Sequence, residues 1–198
     1  MLTDIACVVL SYLLGSISSA ILVARLMGLP DPRTEGSRNP GATNMLRLGG
    51  KGAAIVTLLG DMLKGLAPVL LARALGASDL GLAGAAAASF LGHLFPLFFS
   101  FQGGKGVATL FGTLLGLDWL VGGLVLATWL LMAALFRYSS LAALIASALA
   151  PAYLGWLQPK PAFIAAVCGM VVLLFWRHRS NIRKLLDGTE GKLGGKKD

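Results

Sequence analysis

Charge is what this sequence has least of. Asp, Glu, Lys and Arg make up 13% of its 198 residues, about half the roughly 25% usual in soluble domains. Cysteine is scarce too. Cys7 and Cys168 each lie in an apolar stretch without a second cysteine nearby, so a disulfide scaffold is excluded and both read as small core residues. There are two histidines, and neither belongs to an HExxH pattern or a Cys/His cluster that would hold a metal. The HxxxxD pattern of soluble-headed acyltransferases needs an aspartate where this chain has Phe98 and Arg183. The aspartate array of CDP-alcohol phosphotransferases is missing, as is the GxxxxGK[ST] spacing of a Walker A loop. No Lys or Arg precedes the first apolar run, which argues against a cleaved signal peptide.

Apolar residues are what is there. They supply 56% of the chain, with a mean hydropathy of +0.77. A soluble globule of this size cannot hide so much apolar surface, because its exterior must be wetted. The composition therefore predicts an all-α integral membrane protein. Seventeen Lys and Arg stand against nine Asp and Glu, a net charge of +8. On a soluble protein that excess would suggest nucleic acid. Here the basic residues flank apolar stretches, so anionic lipid headgroups and phosphorylated substrates are the expected partners.

Residues 5–24 form twenty consecutive uncharged positions, the length a bilayer core of about 30 Å requires. Further spans are predicted at 52–72, 80–101, 141–157 and 161–176. The stretch 106–136 would be roughly 46 Å long as one helix, so it divides at Asp118 into 106–117 and 119–136. The positive-inside rule favours that division. With seven segments and the N-terminus outside, fourteen basic residues face the cytoplasm; Arg73 and Lys160 face out and Lys64 is buried. One long helix would flip the tail and leave seven inside against nine outside. The expectation is a seven-segment bundle, N-terminus out and C-terminus in, forming one domain over 1–198. The segment 106–117, roughly 18 Å long, is too short to span and belongs in a protein-lined cleft. Residues 191–198 read as a disordered basic end.

Three polar constellations interrupt the apolar pattern. The first runs Gly36-Ser37-Arg38-Asn39-Pro40-Gly41-Ala42-Thr43-Asn44, followed by Arg47. Tight turns of this kind turn successive N–H groups toward an anion, and arginines fork onto phosphate oxygens. The same residues also describe an ordinary solvated loop. The second is Gly103-Gly104-Lys105-Gly106, a glycine-rich turn opening a helix and so a candidate phosphate site. The tetrapeptide recurs at 49–52, where Lys51 reads as an interface anchor of a full span. The third is the tail from Arg177 through His178 and Asn181, which share a helix face, to Gly188-Thr189-Glu190. A basic juxtamembrane helix on anionic lipid is the plainer reading of it. Asp61 and Lys64 share a face inside the second span, where mutual neutralisation is the simplest account. His93 either lines the cleft or packs, and Ser139 and Ser140 open the sixth segment.

GSRNPGATN (36–44), GDMLKG (60–65), GHLFP (92–96), FQGGKGVAT (101–109) and RHRSNIRKLLDGTE (177–190), in this order, resemble the PlsY family. Its members are bacterial integral-membrane acyl-phosphate:glycerol-3-phosphate acyltransferases. The resemblance implies acyl transfer from acyl phosphate to the sn-1 hydroxyl of glycerol 3-phosphate, giving lysophosphatidic acid, without a cofactor. It implies a multi-pass protein of the inner membrane whose site faces the cytoplasm, fed by a soluble enzyme that makes acyl phosphate. Ser37, Arg47, Lys105, His178 and Asn181 would be catalytic. Gly36, Arg38, Asn39, Gly41, Thr43, Asn44, Gly103, Gly104, Gly106 and Ser140 would bind substrate. A transporter of a small phosphate ester is the competing class, since charges inside helical bundles also mark translocation paths. A non-catalytic lipid-binding scaffold would leave the paired phosphate motifs unexplained.

Overall fold

The computed structural model describes residues 1–194, and among them the secondary structure is entirely helical. Helix α1 (Leu2–Gly15) and helix α2 (Ser19–Leu26) replace the single predicted span over 5–24. The hydroxyls of Ser11 and Ser16 donate to the carbonyls of Cys7 and Tyr12 at 2.6 and 2.8 Å, competing with the helical ladder where it ends. The break leaves the Ile17 carbonyl without a helical partner, and Lys64 Nζ donates to it at 2.8 Å.

Helix α3 (Ala42–Ala74) begins ten residues ahead of the predicted span and bends at Gly50, whose φ of 75° only glycine adopts freely. Pro68 lies inside it and offers no N–H to the Lys64 carbonyl; Ser89 Oγ of the next helix takes that place at 2.5 Å. Helix α4 (Asp79–Leu94) stops seven residues before the predicted 101, because Pro96 disfavours helical geometry at Phe95. A 3-10 turn (Leu97–Phe99) and two left-handed residues, Ser100 and Phe101, then lead into the glycine-rich turn.

Helix α5 (Val107–Leu117) is the predicted short segment, and most of its residues are buried. Its C-terminal carbonyls at Gly116 and Leu117 accept from Arg73 at 3.0 and 2.7 Å, so protein rather than water satisfies that end. Small residues let it lie against α3: a Cβ on Gly65 would run into the Thr109 carbonyl, and one on Gly112 into that of Met62. Helix α6 (Trp119–Phe136) has the predicted bounds, with Asp118 Oδ1 accepting from the N–H groups of Leu120 and Val121. Helices α7 (Ser139–Leu157), α8 (Pro161–Arg177) and α9 (Arg179–Leu186) complete the chain, α9 turning 59° away from α8.

The buried core runs through α4, α5, α7 and α8, while Leu120, Leu131 and Leu135 of α6 point outward. Exposed apolar faces this extensive need lipid rather than water. Five helices or bent helices are long and apolar enough to cross a membrane, six if α8 and α9 form one span, and α5 is a shorter apolar helix beside them. Trp119 and Trp156 stand exposed at helix ends, as interfacial aromatics do. Cys168 departs from expectation: it lies on the exposed face of α8, and only Cys7 is in the core. The basic end departs as well. Residues 191–194 are held against the bundle, the Leu193 N–H donating to the Arg137 carbonyl at 2.6 Å and Arg137 Nη2 to the Leu193 carbonyl at 3.1 Å. The rest of that predicted tail lies outside the described residues.

Candidate active site

One end of the bundle holds a cavity of about 640 Å³. Its floor is apolar, with Leu58 and Met62 of α3, Phe111 of α5, and Leu126, Trp129 and Leu130 of α6. Its mouth is polar, and three helices begin there: α3 at Ala42, α5 at Val107 and α7 at Ser139. Each N-terminus presents N–H groups without helical partners and the positive end of a helix dipole. Three such ends around one space favour an anion.

Cations reinforce that field. Lys105, held between Gly104 and the left-handed Gly106 (φ 87°), donates through Nζ to Asn181 Oδ1. Asn181 Nδ2 donates to Glu190 Oε1 at 2.7 Å, and Ser140 Oγ donates to the same oxygen at 2.5 Å. One carboxylate therefore orients the amide that orients the lysine. Burial pushes the Lys105 ammonium down to about 8; Glu190 opposes the shift, and Lys184, Arg177 and Arg47 add to it. His178 is buried, and its Nδ1 lies 2.9 Å from the Leu174 carbonyl. That carbonyl can only accept, so Nδ1 carries the proton and Nε2 keeps its lone pair. Burial, then the charge of Lys105, pushes His178 down to about 4, against the opposing Leu174 hydrogen bond.

Most of the residues singled out from the sequence meet at this mouth: Ser37, Asn39, Gly41, Thr43, Arg47, Lys105, Gly106, Ser140, His178 and Asn181. Others do not. Asn44 is buried behind the loop and its amide is fully engaged, donating to the Pro32 and Glu35 carbonyls at 3.0 Å each and accepting from the Ser37 N–H at 2.9 Å. It braces the loop instead of contacting a ligand. Gly36 is its counterpart, since a side chain there would strike the Asn44 amide. Arg38 and Gly103 line a separate hollow, and Gly104 packs between the His93 ring and the Pro40 carbonyl.

Several residues at the cavity or behind it were not anticipated. Glu190, at the end of the tail motif, is one: its Oε1 accepts from both Ser140 and Asn181. Arg177 donates to the Gly103 and Gly104 carbonyls at 2.5 and 3.0 Å and so clamps the turn that carries Lys105. Lys51 lines the mouth instead of only anchoring a span, because the Gly50 bend turns it there. Residues 191–194 close one side. Asp61 and His93 reach the cavity wall; Lys64 pairs with Asp61 at 2.9 Å, as the shared face predicted, and His93 Nδ1 stands 3.6 Å from the same carboxylate.

A membrane-type helical bundle with an anion-attracting mouth over an apolar floor defines a protein that handles a phosphate head joined to, or placed beside, a lipid chain. The comparisons narrow this class. A sequence model of the family described as glycerol-3-phosphate acyltransferase matches residues 5–188, and the chain belongs to that family. It is 57% identical over 196 residues to a glycerol-3-phosphate acyltransferase of Thioalkalivibrio sulfidiphilus, covering 99% of this chain and 97% of that one. It is 55% identical to the Methylococcus capsulatus enzyme of the same name, covering 94% of each. Among solved structures, the glycerol 3-phosphate form of PlsY, an integral membrane glycerol 3-phosphate acyltransferase, superposes with a TM-score of 0.92 at 36% identity, covering 96% of both chains. The lysophosphatidic acid form of the same protein gives 0.89 at 35% identity, covering 96% of this chain and 95% of that one.

Proposed function

We propose that this membrane enzyme acylates glycerol 3-phosphate to lysophosphatidic acid in phospholipid synthesis, with acyl phosphate as the donor. The observation that carries the reading is the convergence of three helix N-termini, Lys105 and Arg47 on the mouth of a cavity whose floor is apolar. The anion-attracting mouth suits both phosphates, and the floor suits the chain. The glycerol hydroxyl oxygen attacks the acyl carbonyl carbon, and the bond from that carbon to the phosphate oxygen breaks. Inorganic phosphate leaves with the hydroxyl proton. Acyl phosphate is already an activated mixed anhydride, so catalysis reduces to positioning and charge stabilisation.

In this reading Lys105 and Arg47 neutralise the phosphates, Ser37, Asn39 and Thr43 donate hydrogen bonds, and Ser140, whose proton is given to Glu190, accepts one from the substrate. His178, neutral above about pH 4, and Asn181 orient the acceptor. The bundle crosses the membrane in seven segments as one domain, α5 counted as the short one, with the site on the cytoplasmic face of the inner membrane. The bias of basic residues toward the cavity end supports that orientation. A soluble enzyme producing acyl phosphate would supply the donor.

The test is direct. Purified protein in nanodiscs, given palmitoyl phosphate and glycerol 3-phosphate, is expected to release equal amounts of lysophosphatidic acid and inorganic phosphate. Glycerol 3-phosphate uptake into proteoliposomes without acylation would instead establish the transporter reading.

A further inference from the structure

Behind the main cavity, across Pro40 and the GGKG turn, lies a second hollow of about 260 Å³. Arg33, Arg38 and Arg177 line it with Phe101, Gln102 and Gly103, and none of its lining residues lines the main cavity. We propose that this hollow is a second anion site that binds a phosphate group separately from the acyl-transfer site.

Charge bookkeeping favours a dianion. Arg33 is forked onto Asp31, with Nη2 at 2.6 Å from Oδ2 and Nε at 3.0 Å from Oδ1, which holds its plane and compensates its charge. Arg177 is fastened to two neutral carbonyls, so its charge stays uncompensated. Arg38 takes part in none of the ion pairs among the described residues. Two guanidinium charges are left over, the charge a phosphate monoester carries, and guanidinium forks match phosphate oxygens. Arg38 also has a left-handed backbone (φ 56°). That conformation costs any residue but glycine free energy and is retained where surroundings or function demand it.

The phosphate has two possible sources. Phe101 at the hollow, and Leu97 and Phe98 on the adjoining 3-10 turn, are exposed apolar side chains. They would sit among lipid tails if the occupant were an anionic lipid headgroup; free phosphate needs only the arginines.

Binding of radiolabelled orthophosphate by equilibrium dialysis, on full-length protein in phosphatidylcholine nanodiscs, tests the proposal. Wild type is expected to show two classes of site, one at the main cavity and one at the hollow. Lys105→Ala should lose one, Arg38→Gly should weaken the other at least tenfold, and the double variant should lose both. Glycine suits the left-handed backbone, so this substitution does not threaten the fold, and Arg38→Lys should restore part of the binding. Two undiminished sites in Arg38→Gly, or a single wild-type site that Lys105→Ala removes, would overturn the proposal. Repeating the titration with phosphatidylglycerol identifies the source. Selective loss of the Arg38-dependent site relative to the Lys105-dependent one assigns a lipid headgroup, and equal retention assigns free phosphate.

Discussion

The tetrapeptide Gly-Gly-Lys-Gly occurs twice, at 49–52 and 103–106, and the two copies occupy different physical worlds. The first lies inside α3, where Gly50 bends the helix and Lys51 is exposed at the cavity rim. The second is packed: a side chain on Gly103 would strike the His93 and Leu94 carbonyls, Gly104 lies on the His93 ring, and Arg177 grips both glycine carbonyls. Its lysine is half-buried at the start of α5 and tied to Asn181. Four identical letters thus give one solvated cation and one preorganised one. The difference comes from what surrounds the turn, chiefly α4 and the α8–α9 corner.

The sharpest way to break the comparison is to remove each lysine. Lys105→Ala is expected to lower kcat/KM for glycerol 3-phosphate by about 100- to 1000-fold, the effect of losing a preorganised charged donor, about 3–4 kcal/mol. Lys51→Ala should stay within about fivefold, as an exposed charge contributes about 1 kcal/mol or less. Equal losses would erase the distinction.

Glycine substitutions probe the packing next. Gly103→Ala forces a methyl group into backbone and should cost about 1–3 kcal/mol of stability. Gly52, with open space around it, should tolerate alanine and gain up to about 1 kcal/mol from helix propensity. Thermal melts of the two variants should move in opposite directions. Arg177→Ala leaves the turn intact but unclamped. A rise of about tenfold in KM is expected with a smaller change in kcat, partly rescued by lysine, because hydrogen bonds from a charged group contribute about 1.5–3 kcal/mol each.

How legible these differences were depended on whether the cause was local. Helix α6 could be bounded in advance because Asp118 is both the charge that divides the apolar run and the cap that starts the helix. The short α5 followed from counting basic residues on either side. The break between α1 and α2 could not be read, since it is stabilised by Lys64, 47 positions away from the carbonyl it serves. The same division holds at the site. Lys105, His178 and Asn181 stand in motifs whose chemistry is visible letter by letter. Asn44 has the composition of a ligand contact, and only the folded loop reveals that its amide is fully engaged. Glu190 was hidden for the converse reason, its value lying in orienting Ser140 and Asn181.

A smaller effect separates the cations from the histidine beside them. With His178 neutral above about pH 4, no limb near pH 6.5 should come from it. His178→Asn is expected to keep measurable turnover with a several-fold higher KM for glycerol 3-phosphate. Loss of all turnover together with a pH limb near neutrality would make His178 the general base.

The contrast between the two lysines is tested most directly by the alkaline limb of kcat/KM, which reports the free enzyme. Lys105 is charged below about pH 8 and loses its proton as the pH rises through that value, so phosphate binding should weaken above it, about tenfold per pH unit. Wild type and Lys51→Arg should share a limb near pH 8, and Lys105→Arg, whose guanidinium stays charged, should lack it. A limb that survives in Lys105→Arg, or that disappears in Lys51→Arg, would contradict the assignment of the phosphate to the second turn.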